Sequence, residues 1–425
     1  MREYTLSDIL VFLTLAFIYM SSNYTLGIVY GFIEPLNQKN KVHRQGTLNQ
    51  YVLLKVVKHF LPDITDENNP SYSLVANLVW KRFYNYRSIV QAWNGIELSF
   101  YEEVRENNLK GNWIKKVQCQ TETSLEPDLV IYYIPNILIM SNTPHFYTEY
   151  LTTLHSLLLL QGFKNPLIFV PQLKTVHKCE LPDHLFTVIQ NWQEITTKYE
   201  KAKWIIAGDS AGASLALSFL LFRTNPDYSI FKRDKESIEG NEDIEQSSQE
   251  VNEPISKPFG ALLISPLLKY KGISKRTSED TCPDFLTTNF INRISQRYIP
   301  SHLPELDIIH SPGFCNNPNT WERSFPEKGI ILTWGAEELL NDEIQDFGNT
   351  LAMAGSTKLW KMKGGIHSWP FAFFLTEDAQ DEKEDSCFVL AGIISRMTLW
   401  HTTYYLDPEK SHEPMNLLTI DDNHL

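Results

Sequence analysis

One segment constrains the fold more than any other. Trp204-Ile205-Ile206-Ala207 is an unbroken apolar run, Gly208-Asp209-Ser210-Ala211-Gly212 follows without a gap, and an apolar stretch continues to Phe222. A run of four apolar residues at that spacing reads as a buried strand, and the stretch after Gly212 reads as a helix halted before Asn225-Pro226. Glycine at 208 and 212 lets a strand turn sharply into a helix, which throws the serine between them out at the strand's carboxyl end. Such a turn belongs to a parallel sheet flanked by helices and fits poorly into all-α or all-β architectures.

The rest of the chain repeats that rhythm from Asp128 onward. Apolar runs at Leu129 to Tyr133, Leu167 to Val170, Ala261 to Ile264, Gly329 to Thr333 and Lys358 to Met362 predict further strands. Helical spacing is predicted around His145 to Gln161 and Leu185 to Tyr199. Residues 45 to 125 carry helix-period spacing, as in Tyr51-Val52-Leu53-Leu54 through Val57 and Phe60, so residues 41 to 125 are expected to form a helical cap. The α/β unit is expected over 126 to 405, with a tail from 406 to 425. Within it, about 232 to 256 is rich in Asp, Glu, Ser, Gln and Asn and is expected to be a disordered acidic insertion, because it has too little apolar surface to offset ordering.

At the front, Ile9 to Ile33 holds no charged side chain and is bounded by Asp8 and Glu34. That length suffices to cross a bilayer, and the Met-Arg-Glu start lacks the features of a cleaved signal, so residues 1 to 40 are expected to be an uncleaved membrane anchor. Lys39, Lys41 and Arg44 downstream favour a cytosolic main domain by the positive-inside rule, which leaves topology open.

Charge and cysteines exclude other classes. With 425 residues, a net charge of −13 and no basic stripe, the surface repels nucleic acid. Cys119, Cys179, Cys282, Cys315 and Cys387 are isolated, without CxxC or zinc-ligand spacing, so no metal is expected. No P-loop and no GxGxxG after a strand is present, so no cofactor is expected either.

Ser210 therefore has the setting of a nucleophile. A serine hydroxyl needs an imidazole to take its proton and a carboxylate to orient that imidazole, in the chain order serine, acid, histidine. Two later strand ends supply both. Trp334-Gly335-Ala336-Glu337-Glu338-Leu339-Leu340-Asn341-Asp342-Glu343 follows one strand, and Gly364-Gly365-Ile366-His367-Ser368 follows the next. His367 is the candidate base; Glu337, Glu338, Asp342 and Glu343 crowd the acid's loop.

The combination resembles the hormone-sensitive-lipase-like esterases. Gly208 to Gly212 is similar to that family's GDSAG elbow, Pro258 to Pro266 to the strand after the elbow helix, Glu338 to Glu343 to its acidic segment, and Gly365-Ile366-His367 to its histidine turn. The resemblance implies an α/β-hydrolase fold with Ser210, Glu338 and His367 as triad and Asp342 as alternative acid. With the anchor added, it is nearest to the fungal steryl acetyl hydrolases. These imply a lipophilic ester substrate such as a sterol acetate, and a single-pass location in the endoplasmic reticulum membrane. One motif departs from the pattern. Where the family has HGGG, this chain has Ile134-Pro135-Asn136-Ile137, and proline has no N–H to give. Ala211, Asn136 and Ile137 remain as candidate oxyanion donors. Two readings follow: a working esterase, or a pseudo-hydrolase that binds lipid or protein.

Overall fold

The computed structural model describes residues 101–106, 109–115, 126–136, 147–174, 181–224, 254–270, 282–299, 307–376, 380–398 and 417–418. The expected anchor, most of the expected cap and most of the acidic insertion lie outside these residues. Among the described residues no helix is long and apolar enough to cross a membrane.

A single mixed sheet organises the chain. Its strands are β1 (Tyr101–Glu106), β2 (Leu109–Ile114), β3 (Leu129–Ile134), β4 (Pro166–Pro171), β5 (Lys203–Asp209), β6 (Gly260–Ile264), β7 (Ile330–Gly335), β8 (Thr357–Met362) and the two-residue β9 (Leu417–Leu418), in the order β1-β2-β4-β3-β5-β6-β7-β8-β9. Strands β3 to β8 run parallel, and β1, β2 and β9 add antiparallel edges. The helices are α1 (Thr148–Leu160), α2 (Leu181–Lys198), α3 (Ala211–Thr224), α4 (Thr288–Tyr298), α5 (Pro318–Ser324), α6 (Asn341–Ala354), α7 (Trp369–Thr376) and α8 (Gln380–Thr398).

Alternation along each strand shows why both faces carry helices. Val130, Tyr132 and Ile134 belong to one apolar core with α2, α3 and α6, whereas Leu129, Ile131 and Tyr133 belong to a second with α1 and α8. Successive side chains of a strand point to opposite faces, so a strand apolar at every position must be covered twice. Helix α3 is buried from Ala211 to Phe222 and stands at the centre of the first core. The expected strands and their order along the chain match this architecture, the α/β-hydrolase fold.

Two expectations change. The helical reading does not hold up to residue 125, because Tyr101–Glu106 and Leu109–Ile114 form a β-hairpin at the sheet edge. Its first strand sets the buried Val104 between exposed Glu102, Glu103, Arg105 and Glu106, too polar to stand out as a strand in the sequence. The acidic insertion also ends earlier than 256. Ile255 is in the core, and Ser256 Oγ accepts the Trp192 indole N–H at 2.8 Å.

Candidate active site

The serine expected to be a nucleophile occupies the turn between β5 and α3 with φ at +52°, in the left-handed region. Gly208 and Gly212 make that turn possible. A Cβ on Gly212 would press on the carbonyl oxygens of Ile134 and Pro135, and one on Gly208 would lie 2.7 Å from the Ile134 oxygen. Only hydrogen at these positions lets the elbow close against the end of β3. Ser210 N–H donates to Ile264 O at 2.9 Å, which ties the elbow to β6.

His367 and Glu338 meet on neighbouring loops. Glu338 follows β7, His367 follows β8, and Glu338 Oε2 is 3.7 Å from His367 Nδ1 with both side chains fully buried. That is beyond hydrogen-bond length, so the two groups face each other without a direct bond. Ser265 Oγ donates to the same Oε2 at 2.7 Å, and Gly335 N–H faces it at 3.4 Å, so the carboxylate is aimed from two sides. Burial pushes the Glu338 carboxyl well above its ordinary range, and the neighbouring charge of Asp284 adds to that. Burial also pushes the His367 imidazole down to about 3, which keeps it neutral at neutral pH.

Asp342 is not part of this pair. It opens α6, where its carboxylate accepts the Asn341 amide at 2.9 Å and faces the positive end of the helix. Glu343 lies against Lys269 at 3.6 Å, in the same first turn of α6.

Two features of the centre were not read from the sequence. The first is the elbow aspartate. Asp209 accepts from Tyr147 Oη at 2.8 Å, Tyr133 Oη at 3.1 Å and Ser368 Oγ at 3.1 Å, and burial raises its carboxyl to about 6. Ser368 follows His367 directly and Asp209 precedes Ser210 directly, so this hydrogen bond draws the His367 loop to the Ser210 turn. The second is backbone strain. Among the described residues, the non-glycine residues with positive φ are Ser210, Ser265 and Ser368. All three belong to this centre, and strained backbone is held only where its surroundings over-determine it. The Gly-Asp-Ser and Ile-Ser-Pro strand ends contained the signal, but no periodicity marks it.

The oxyanion side differs from expectation. Asn136 N–H donates to Tyr147 Oη at 3.3 Å, while the Pro135 oxygen faces Gly212. The peptide between them thus presents oxygen to the elbow helix and its N–H to the tyrosine, because the two groups of a peptide point in opposite directions. The backbone of Asn136 is therefore turned away from the elbow. Ala211 opens α3, and the first N–H groups of a helix have no intrahelical acceptor and favour an anion. Ile137 lies outside the described residues. Among the described residues no three His, Cys, Asp or Glu side chains are grouped to hold a metal ion. Cys282, Cys315 and Cys387 are buried.

Comparison with known protein families gave no match, and neither did comparison with curated proteins. Solved structures do match. A hormone-sensitive lipase homologue from a metagenome library aligns at 14% identity over 82% of this chain and 98% of its own, with TM-score 0.53. The esterase rPPE aligns at 12% identity over 83% and 98%, with TM-score 0.54. Carboxyl esterase 2 of the mycorrhizal fungus Tuber melanosporum aligns at 15% identity over 71% and 89%, with TM-score 0.52. At such identity the likeness is one of fold.

Proposed function

We propose that this protein is a serine carboxylester hydrolase with Ser210 as nucleophile, His367 as general base and Glu338 as the acid that orients the base. The observation that carries this reading is the left-handed Ser210 at the end of β5, with the buried Glu338–His367 pair on loops of the same sheet end. In the reaction, Ser210 Oγ attacks the ester carbonyl carbon while His367 Nε2 takes its proton. The carbonyl oxygen gains negative charge and meets the Ala211 N–H. Collapse expels the alcohol, which receives the proton from His367, and leaves an acyl group on Ser210. Water, deprotonated by the same imidazole, then releases the acid.

The substrate class we propose is a lipophilic ester, with sterol acetates as the leading case. This rests on the likeness of the solved esterases in fold and on the resemblance of the elbow and histidine turn. The apolar segment from Ile9 to Ile33 suits an enzyme held at the endoplasmic reticulum membrane, where such esters partition. A fluorophosphonate probe tests the chemistry. Labelling of the folded protein that disappears in Ser210→Ala supports the proposal, and absence of labelling in the folded wild type overturns it. Release of acetate from cholesteryl acetate against p-nitrophenyl acetate then grades the substrate.

A second reading has its own observation. With Asn136 N–H committed to Tyr147 and Pro135 without an N–H, the oxyanion side has lost donors, and each such loss costs roughly 10²–10³ in rate. On that reading the chain keeps the fold and binds a lipid or a protein partner without hydrolysing it.

A further inference from the structure

We propose that Asp284 is a positioning residue of this centre. Its carboxylate fastens the loop of the acid to the loop of the base, and it sets a second negative charge beside Glu338 and His367. The inference rests on the hydrolase reading and extends it to a residue that neither the elbow nor the acidic segment contains.

The geometry is specific. Asp284 lies in the turn preceding α4, remote in sequence from both loops, and is completely buried. Its Oδ2 accepts the N–H of Leu339, the residue after Glu338, at 2.9 Å. Its Oδ1 accepts the backbone N–H of His367 at 3.4 Å and faces that of Leu286 at 3.5 Å. One carboxylate therefore bonds the acid's neighbour and the base itself. Phe285, next in the chain, sets its ring edge-on to the His367 ring with centroids 5.8 Å apart, so the same turn also packs on the imidazole.

Charge gives the residue a second role. Burying a carboxylate is costly, and the cost is usually met by a cation. Here backbone N–H groups hold it, and burial raises it to about 6. Its charge falls on Glu338, where it opposes ionisation, and a negative charge at this place would favour an imidazolium at His367. The groups facing the pair are Glu338 from the turn after β7, Asp284 from the turn before α4, Asp209 through Ser368, and Lys361 on β8, whose charge reaches Glu338. When His367 takes the serine proton, a cation appears in a site that burial makes hostile to it. Two carboxylates rather than one then compensate it.

Asp284→Asn keeps the shape and removes the charge. The fluorophosphonate labelling rate is expected to fall roughly 10²-fold at pH 7.5, as for a base displaced by about 1 Å. The acid limb of its pH profile is expected to move to lower pH, because both His367 and Glu338 lose protons more readily without the second charge. A wild-type rate overturns the proposal. A lower rate with an unmoved limb removes the electrostatic role and overturns the proposal as stated. Should Asp284→Asn fail to melt cooperatively, Asp284→Ala with added formate replaces it: recovery of labelling supports the proposal, and its absence overturns it. Amide hydrogen exchange separates this inference from the hydrolase reading. In Asp284→Ala, Leu339 and His367 are expected to lose protection together, whether or not Ser210 reacts with the probe. Retained protection at both overturns the clamp. Unlabelled wild type with paired loss of protection overturns only the hydrolase reading.

Discussion

Gly212→Ala is the sharpest perturbation of the elbow, because a single methyl group meets backbone on the far side. The new Cβ would lie 2.5 Å from the Pro135 carbonyl oxygen, about 0.9 Å inside the 3.4 Å at which ordinary contact begins, and closer still to the Ile134 oxygen. Neither partner can yield cheaply. Helix α3 is buried along its length, and β3 is paired to β4 and β5 on both sides. The movement is therefore forced into Pro135 and Asn136, beside the elbow that holds Ser210. Overpacking of this kind costs about 1–3 kcal/mol, which lowers the melting temperature by roughly 2–10 °C in a domain of this size. A displacement of about 1 Å at the oxyanion side is expected to slow fluorophosphonate labelling roughly 10²-fold. Gly392→Ala supplies the control. It lies in α8, a Cβ there meets nothing within 4 Å, and helix propensity predicts a gain of up to about 1 kcal/mol. Labelling and melting of Gly212→Ala equal to wild type would refute the close-approach argument.

Other outcomes follow from the same geometry. Glu338→Ala is expected to lower the labelling rate by roughly 10³–10⁴ as the imidazole loses its orienting carboxylate. Asp342→Ala should stay within about twofold of wild type, since its carboxylate engages Asn341 at a helix start; equal losses in the two variants would move the acid from Glu338. Burial raises Asp209 to about 6 from an ordinary 3.8, so the folded state holds its proton across that window while the unfolded state has released it. Its ionised form therefore costs the fold about 3 kcal/mol above pH 6, and the cost vanishes as pH falls towards 4. The melting temperature of wild type relative to Asp209→Asn should accordingly rise between pH 7.5 and 5, as calorimetry at each pH would record. A flat or falling difference would contradict the burial argument. Replacing Pro135 and Asn136 by glycine together with Tyr147→Phe frees the 136 N–H to turn toward the elbow, and a gain of about 10–100-fold in labelling is expected. No gain would mean that lost donors do not limit this centre.

The parallel core was legible because its strands are apolar at consecutive positions, and the ends of β5, β7 and β8 located the serine, acid and histidine loops. Polar edge strands were not legible. Tyr101–Glu106 exposes four charged side chains around Val104, and its pairing depends on Leu109–Ile114 rather than on any pattern of its own. Within the site, sequence spacing left four acids open on one loop, and only the three-dimensional path brings Glu338 to His367. Asp284 gave no signal at all. It comes from an irregular stretch more than fifty residues before Glu338, and its meaning lies in two N–H groups that folding places beside it. Ser265 and Ser368 were similarly silent, since a left-handed serine looks like any other serine until its φ is known.

The balance between the two functional readings turns on what a chain would keep if the chemistry were gone. Asp209, Glu338 and Asp284 are all buried, and burial raises the carboxyl of each. Lys361 offsets part of the charge at Glu338, while Asp284 makes it worse. A buried ionic group of this kind is often neutral or favourable to replace by a well-fitted apolar or amide side chain, so a scaffold that merely binds a partner gains nothing from holding three. Three strained serines add a further cost at the same place, about 1–3 kcal/mol each. Asp209 and Ser265 could be read as struts, yet a strut works as well with an amide or a relaxed backbone. A nucleophile, a base needing a counter-charge and an acid needing a fixed aim give every one of these costly features a use. The oxyanion side is where the chain has departed from that logic, through Pro135 and the turned Asn136 N–H. On the other side the buried Glu338 and His367 still face each other at 3.7 Å, which weighs for the proposed hydrolase, at a reduced rate, over a fold emptied of chemistry.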